Sequence, residues 1–204
     1  FVNGTRQALT GNALVADSAS RNAHFLTFLY TNDYDLSQHQ DVHLGFYSHY
    51  AQNQDSSGSI EYSIDGGETW LPVLYMMDRD DIVRDDDGNV DVFATLENEH
   101  GDIAIGYDPD TFEEVGGYYG AYIGAEISEE LAPYISGRIN DNQTESKRYE
   151  LFRLPEADGQ KTVRFRLAKS GTYSWYWGID NFGIYSIAPS SMPEVAEARP
   201  AAGS

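Results

Sequence analysis

Residues 85–91 have the residue types and the spacing of a short calcium-binding loop. Calcium takes about six to eight oxygen ligands, and carboxylate and amide side chains alternate here around a glycine that permits a sharp bend. The segment lacks the distal glutamate of an EF-hand and has no predicted flanking helices, so a hydrated hairpin turn explains the same residues. Both interpretations stay open. The candidate ligands are Asp85, Asp87, Asn89 and Asp91.

A segment rich in tyrosine and glycine, residues 116–122, is a candidate surface for stacking against sugar rings. The glycines would let a loop expose the tyrosine rings. In a later predicted strand, Tyr176 points away from the face that carries Trp175 and Trp177. Large apolar groups on one strand face are typical of a core, so burial is the alternative. The candidate ligand-binding residues are Tyr118, Tyr119, Tyr122 and Tyr176.

Recognisable catalytic motifs do not occur in the sequence. The chain has 5 histidines, but none stands in the H-E-x-x-H context of a zinc hydrolase. There is neither a G-x-S-x-G elbow nor a phosphate-binding loop. The 33 acidic residues keep a glycoside hydrolase or lyase with paired carboxylates open as an alternative, although no motif singles out a pair.

Composition excludes several classes of protein. The 204 residues include 13 basic and 33 acidic ones, so the formal charge is −20, and such a surface repels a nucleic acid. No run of apolar residues is long enough to insert into a membrane. The chain has 0 cysteines, which excludes disulfides, thiolate metal sites and cysteine nucleophiles. We expect a secreted, extracellular bacterial protein from this acidic, cysteine-free composition.

Short strand-like segments, bounded by turn residues, run through most of the chain and predict an all-β fold. One short helix is predicted over residues 128–136, with Ser128 as its cap and Pro133 limiting its length. Many strands with so little helix indicate an antiparallel sandwich or barrel. The predicted strands cover residues 24–30, 42–50, 59–64, 69–75, 90–96, 103–107, 118–127, 149–154, 162–167 and 173–187.

The composition changes after Ile187. Residues 188–204 are rich in proline, alanine, serine and glutamate and too poor in large apolar groups to fold alone. We therefore predict one folded domain over residues 1–187, followed by a linker or tail that connects it covalently to other domains.

Residues 63–70 match the Asp-box pattern S-x-D-x-G-x-T-W at every fixed position. The pattern predicts a tight hairpin in which Asp65 accepts hydrogen bonds from the turn's amides and Gly67 adopts positive φ. Trp70 is expected to fold back onto the base of the hairpin. Asp boxes recur in sialidase propellers away from the catalytic centre, so a single copy favours a structural role.

The second motif is W-Y-W-G-I-D-N-F over residues 175–182. Together with the hairpin of residues 63–70 and the V-R-F-R segment of residues 163–166, it resembles the jelly-roll modules of reelin subrepeats. It is also similar to MAM domains and to the cleaved-adhesin modules of bacterial surface proteases. The resemblance spans residues 44–187 and implies an antiparallel jelly-roll β-sandwich. The acidic insertion of residues 78–102 departs from the pattern of these modules.

The resemblance also implies a calcium ion that ties the N-terminal strand region to the last strand. Asp180 is then the best candidate ligand, Asp17 its early partner, and Asp41 a weaker third ligand. Carboxylates and loop carbonyls supply the oxygens that calcium requires. The alternative is that Asp180 only stabilises a turn.

Three functions follow as hypotheses. The leading one is a non-catalytic jelly-roll module, stabilised by calcium, that binds carbohydrate or another cell-surface component as part of a larger protein. The first alternative is a structural or adhesive spacer that contacts protein. The second is a glycoside hydrolase or lyase. Sandwich folds occur in proteins of all three classes, so the fold alone does not distinguish them and the side chains of the functional site are needed.

Overall fold

The computed structural model describes residue 9 and residues 12–17, 24–53, 56–102, 106–107, 114–115, 122–142, 144–172 and 175–187. Within these ranges the chain is mainly β-structure, with one α-helix and short 3-10 helices. The strands are β1 (Leu14–Asp17), β2 (His24–Tyr30), β3 (Gln40–Tyr50), β4 (Ser57–Ser63), β5 (Leu71–Asp78), β6 (Gly106–Tyr107), β7 (Glu114–Val115), β8 (Ile135–Arg138), β9 (Lys147–Arg153), β10 (Arg164–Thr172) and β11 (Tyr176–Ile187). The α-helix is α1 (Val92–Asp102), and the 3-10 helices are Arg79–Asp81, Glu129–Tyr134 and Pro155–Ala157.

Two sheets pack against each other. One has four strands in the order β1-β11-β3-β9, and the other has five in the order β2-β10-β4-β5-β8. Neighbouring strands in both sheets are antiparallel except β5 and β8, which run parallel. Strands β6 and β7 form a separate pair. The predicted all-β sandwich is therefore confirmed.

The main hydrophobic core lies between the two sheets. It takes alternate residues of β3 and β11 from one sheet and of β4, β5 and β10 from the other, as strand pleating requires. A second core covers the opposite face of the five-stranded sheet, where α1 and residues 122–135 pack. Large exposed side chains lie on the outward face of the four-stranded sheet and also on β2 of the five-stranded sheet.

Helix α1 lies where the sequence predicts a strand over residues 90–96, so that prediction is wrong. The Asp91 carboxylate accepts the backbone N–H of Ala94 at 2.9 Å and thereby caps the helix. Val92 and Leu96, one turn apart, are both buried in the second core. Burial of a helical stripe outweighs the strand preference of the β-branched and aromatic residues.

The predicted short helix is present as the 3-10 helix Glu129–Tyr134. The Ser128 hydroxyl accepts the N–H of Glu130 at 3.3 Å, which is the expected cap. The strand predicted over residues 118–127 is wrong for residues 122–127, which are irregular, while 118–121 lie outside the described residues. The Glu61 carboxylate accepts the amides of Gly124 and Ala125 at 2.6 and 3.0 Å, so these amides bind a side chain instead of a neighbouring strand.

Within the described part of the chain, no helix combines the length and the apolar character needed to cross a bilayer. The predicted linker of residues 188–204 lies outside the described residues.

Candidate functional site

Three exposed tyrosines lie on the outward face of the four-stranded sheet. Leu44 and Phe46 of β3 belong to the core, so strand alternation directs Gly45 and Tyr47 outward. Tyr149 of β9 pairs directly with Tyr47. Tyr185 of β11 pairs with the β3 residue His43. The exposed fractions are 44% for Tyr47, 47% for Tyr149 and 50% for Tyr185. We call Tyr47, Tyr149, Tyr185, Gly45 and Gly183 the tyrosine platform.

Two glycines lie beneath the rings of the tyrosine platform. A Cβ atom at Gly45 would overlap the Tyr149 hydroxyl and would lie 2.9 Å from Cε2 of Tyr185. At Gly183 a Cβ atom would lie 3.3 Å from the Tyr185 hydroxyl. The rings of Tyr149 and Tyr185 therefore extend across the sheet over the glycines, because no side chain at these positions lifts them away.

The platform tyrosines contact one another. The ring centroids of Tyr47 and Tyr149 are 5.1 Å apart with an interplanar angle of 64°, an edge-to-face contact. A hydrogen bond with the Tyr185 side chain raises the pKa of Tyr149 above its ordinary value. The Tyr149 phenol is thus neutral at physiological pH, and the half-exposed platform tyrosines offer ring surface and hydroxyl groups to solvent.

Charged groups at one end of the platform are paired with each other. Arg153 pairs with His43 in the β3–β9 register, and its Nε is 3.0 Å from an Asp41 oxygen. Its Nη2 contacts the Asp158 carboxylate. The hydrogen bond with Asp158 raises the pKa of Arg153. The sequence-predicted calcium ligand Asp41 is therefore part of an ion-pair network at the rim of the sheet.

The predicted sugar-stacking residues do not coincide with the platform. Tyr122 is only 1% exposed and belongs to the second core. Tyr176 is 8% exposed, and its hydroxyl lies 3.1 Å from His49 Nε2. Neither ring offers a free face to a ligand. Tyr118 and Tyr119 lie outside the described residues.

The acidic loop of residues 85–91 uses several of its oxygens within the chain. Asp85 Oδ1 accepts the amides of Asp87 and Asn89 at 3.0 and 2.8 Å, and its other oxygen accepts the Asn89 side-chain amide. The hydrogen bonds with Asn89 lower the pKa of Asp85. Asp91 caps α1. This arrangement corresponds to the hairpin-turn alternative, with Arg84 and Val90 forming its bridge.

The other predicted calcium ligands lie at separate places on the four-stranded sheet. Asp17 pairs with Tyr176, four residues from Asp180 on β11 and therefore about 13 Å from it at the usual strand rise. Asp180 pairs with Tyr47, is largely buried, and accepts the N–H of Asn181 at 2.7 Å. Among the described residues, no group of three or more histidines and carboxylates is arranged to hold a metal. Calcium binding stays a prediction from the sequence.

The hairpin of residues 63–70 has the geometry predicted for it. The Asp65 carboxylate accepts the amides of Glu68 and Thr69, each at 3.0 Å, and Gly67 has φ of 96°. Trp70 folds back so that its ring lies 4.9 Å from the guanidinium carbon of Arg166. This ring is thus occupied by a cation of the same chain.

A groove of about 630 Å³ runs beside this hairpin. Trp70 and Tyr134 contribute aromatic surface to it. A glycoside hydrolase would need a pair of carboxylates, and this groove gathers several next to aromatic rings. If the hydrolase alternative holds, this groove is the place for its active site. The carboxylates are those of Glu68, Glu126, Glu130 and Glu156.

The sequence matches no known family model and no curated protein. The resemblance to reelin subrepeats, MAM domains and cleaved-adhesin modules therefore stays a prediction.

The tyrosine platform has a sequence signal that motif analysis missed. Gly45 precedes Tyr47 by two positions, and Gly183 precedes Tyr185 by two positions. In a strand this spacing places a glycine and a tyrosine on the same face. Tyr185 lies over Gly183 of its own strand, whereas Gly45 leaves room for Tyr149 and Tyr185 of the neighbouring strands. Which face of the strand carries the pair follows only from the packing of the sheets.

Proposed function

We propose that this chain is a non-catalytic, carbohydrate-binding β-sandwich domain and that its ligand binds the tyrosine platform. One observation carries the proposal. Tyr47, Tyr149 and Tyr185 lie about half exposed on adjacent strands, where soluble proteins ordinarily place polar groups. Exposed aromatic side chains clustered on a sheet face are typical of an interaction site.

The chemistry of the platform suits a sugar. A pyranose ring has an apolar face of C–H groups and a rim of hydroxyl groups. A tyrosine ring matches both, since its face packs against C–H groups and its hydroxyl donates or accepts hydrogen bonds. The ion pair between Arg153 and Asp41 leaves no unpaired charge on these two side chains at the end of the platform, which suits an uncharged ligand.

The composition supports an extracellular setting for this function, as the sequence analysis expects. A charge of −20 favours solubility through charge repulsion, and a chain with 0 cysteines needs no disulfides to fold outside the cell. We propose that the domain brings a larger secreted bacterial protein to a polysaccharide or to a cell surface that carries one.

The test is a set of three variants, Tyr149→Ala, Tyr185→Ala and Tyr30→Ala, assayed on a glycan array and by affinity electrophoresis in polysaccharide gels. Tyr30 is 54% exposed on the other sheet and is the matched control. We expect each platform variant to bind its polysaccharide at least about tenfold more weakly, equivalent to ~1.4 kcal/mol, with Tyr30→Ala unchanged.

Two outcomes would replace the proposal with one of its alternatives. Binding to proteins but to no glycan would favour the spacer. Release of reducing ends from a polysaccharide, abolished by substitution of glutamates in the groove beside Trp70, would favour the hydrolase or lyase.

A further inference from the structure

We infer that this chain forms a dimer in which strand β2 of one copy pairs antiparallel with β2 of a second copy. The interaction surface is the free edge of β2, which is the last strand of the five-stranded sheet among the described residues. None of the platform tyrosines takes part, so this interface is separate from the proposed glycan site. Its basis is the composition of β2, the exposure of its side chains and the gap beside it.

Strand β2 differs from the other edge strands of the two main sheets that the structure describes, which are β1, β8 and β9. Strands β1 and β8 have only four residues each, and β9 carries four charged residues among its seven. Short strands and charged side chains are the usual features that keep an edge from pairing with another chain. Strand β2, with the sequence HFLTFLY, has seven residues and no aspartate, glutamate, lysine or arginine. Neither form of protection is present on it.

The backbone of β2 directs hydrogen-bonding groups away from its own sheet. Thr31, just after the strand, donates its N–H to the carbonyl of Phe165 at 3.0 Å, in continuation of the register between β2 and β10. Because hydrogen-bonded pairs alternate in an antiparallel ladder, the odd-numbered residues of β2 bond to β10 and the even-numbered ones direct their N–H and C=O groups outward. Phe28 is one of the outward-directed residues. A second antiparallel strand has donors and acceptors at the matching spacing.

Three consecutive residues of β2 expose large apolar side chains. The exposed fractions are 36% for Phe28, 39% for Leu29 and 54% for Tyr30. Neighbouring residues of a strand point to opposite faces, so exposure of three in a row means that both faces are accessible here, as at an open edge. The rings of Phe28 and Tyr30 stack on one face with their centroids 6.3 Å apart, and Leu29 lies on the other. Pairing with a second strand removes apolar surface from water on both faces.

A gap of about 360 Å³ opens between β1 and β2 at this edge of the sandwich. Leu29 lines the gap together with Leu167 and Trp177, which belong to the core between the sheets. A strand added beside β2 directs every second side chain towards the space between the sheets. In a second copy these side chains are Thr27 and Leu29, which line the same gap in their own copy. The dimer therefore brings an apolar side chain of each copy to the place where the core of the other is open.

A second copy fits this edge because β2 is complementary to itself. A two-fold axis perpendicular to the sheet reverses the strand direction and keeps the same face inward, so the same residues of both copies form the interface. With the axis close to Phe28, residues 26–30 (LTFLY) oppose the same residues of the other copy, and no charge lies opposite another. The charge of −20 makes two copies repel each other over most of their surfaces. At the edge of β2 they meet without opposing like charges.

The test is sedimentation-velocity ultracentrifugation of the full chain over a wide range of protein concentration, at low and at high salt. We expect a reversible monomer–dimer equilibrium with more dimer at high salt, because salt screens the repulsion between two acidic copies. Phe28→Pro removes an outward N–H and keeps the bonds to β10, so we expect at least about tenfold weaker dimerisation with the circular dichroism retained. Phe93→Ala, at an exposed position of α1, is the matched control and is expected to dimerise normally. A monomer at every concentration, or full dimerisation of a folded Phe28→Pro protein, would overturn the inference.

Single cysteines test the position of the contact without a proline in the strand. The chain has 0 cysteines, so a disulfide-linked dimer forms only through the introduced residue. Opposed residues of an antiparallel pair have Cα atoms about 4.5–5.5 Å apart, which a disulfide can span. Under mild oxidation we expect rapid linking of the variant whose cysteine lies at the two-fold axis, among Thr27→Cys, Phe28→Cys and Leu29→Cys, and little linking of Phe93→Cys. Equal linking of all four variants would contradict pairing through β2.

Discussion

Arg166 of β10 forms a buried ion pair with Glu61 of β4, 105 residues away in the sequence. Arg166 Nε donates to Glu61 Oε2 at 2.8 Å, and Nη2 contacts the same oxygen. The other Glu61 oxygen accepts the Tyr75 hydroxyl and the amides of Gly124 and Ala125. One carboxylate therefore attaches the irregular segment of residues 122–127 to the five-stranded sheet.

We expect Glu61→Gln to destabilise the fold by at least about 3 kcal/mol, because it leaves the Arg166 charge buried without its counter-ion. The measurement is urea-induced unfolding followed by fluorescence, with the midpoint and slope compared to those of the unmodified chain. Glu68→Gln, at an exposed position of the nearby hairpin, is the control. If Glu61→Gln lowers the free energy of unfolding by less than about 1 kcal/mol, this ion pair does not contribute much to holding residues 122–127 on the five-stranded sheet.

The hairpin of residues 63–70 predicts how the stability of the fold changes at acidic pH. Hydrogen bonds from the side chains of Ser63 and Thr69 lower the pKa of Asp65 well below its ordinary value. Its contribution to stability is therefore fully present above the pKa of the unfolded chain, about 3.9, and is lost as pH falls towards the folded value. We expect Asp65→Asn to have a lower melting temperature than the unmodified chain at pH 7 and the difference to shrink below about pH 4. A difference independent of pH would contradict this role for the carboxylate.

Tyr149 predicts how binding changes at alkaline pH. Since its pKa is raised in the folded protein by the hydrogen bond with Tyr185, its contribution to stability is present below the unfolded value, about 10, and is lost as pH rises through the folded value. We expect polysaccharide binding to be constant from about pH 6 to pH 9 and to weaken above about pH 10. Tyr149→Phe removes this ionisation, so its binding is expected to fall less at high pH. An identical alkaline decrease in both proteins would assign the effect to other groups.

Calcium binding at Asp180 is tested by thermal unfolding in EDTA and then with added calcium. A site that binds only the folded state raises its stability by RT ln(1 + [L]/Kd), so occupancy appears as a higher melting temperature. From the sequence prediction we expect such a rise, and we expect Asp180→Asn to abolish it. Asp85→Asn separates the acidic loop from this site, since it is expected to leave the rise unchanged. If added calcium leaves the melting temperature of the unmodified chain unchanged, the prediction of calcium binding is wrong.

The sequence by itself determined the features that depend on neighbouring residues. The hairpin of residues 63–70 forms as predicted because Asp65 and the amides it binds are at most four positions apart. The all-β class followed from short strand-like segments bounded by turn residues. Ser128 caps the short helix because its hydroxyl accepts an N–H only two positions away, from Glu130. In each case the interacting groups are close in the chain, so type and spacing suffice.

Only the tertiary structure decided which side chains are buried and which are displayed. Tyr122 and Tyr176 are buried, whereas Tyr47 and Tyr149 are exposed, although all four are tyrosines in apolar segments. The outcome depends on which strands become neighbours and which sheet face is covered, and these are non-local facts. All seven residues of β4 are buried, because the five-stranded sheet is covered on both sides, so alternation along such a strand does not distinguish its faces. The Glu61–Arg166 pair and the platform therefore exist only once the two sheets have packed.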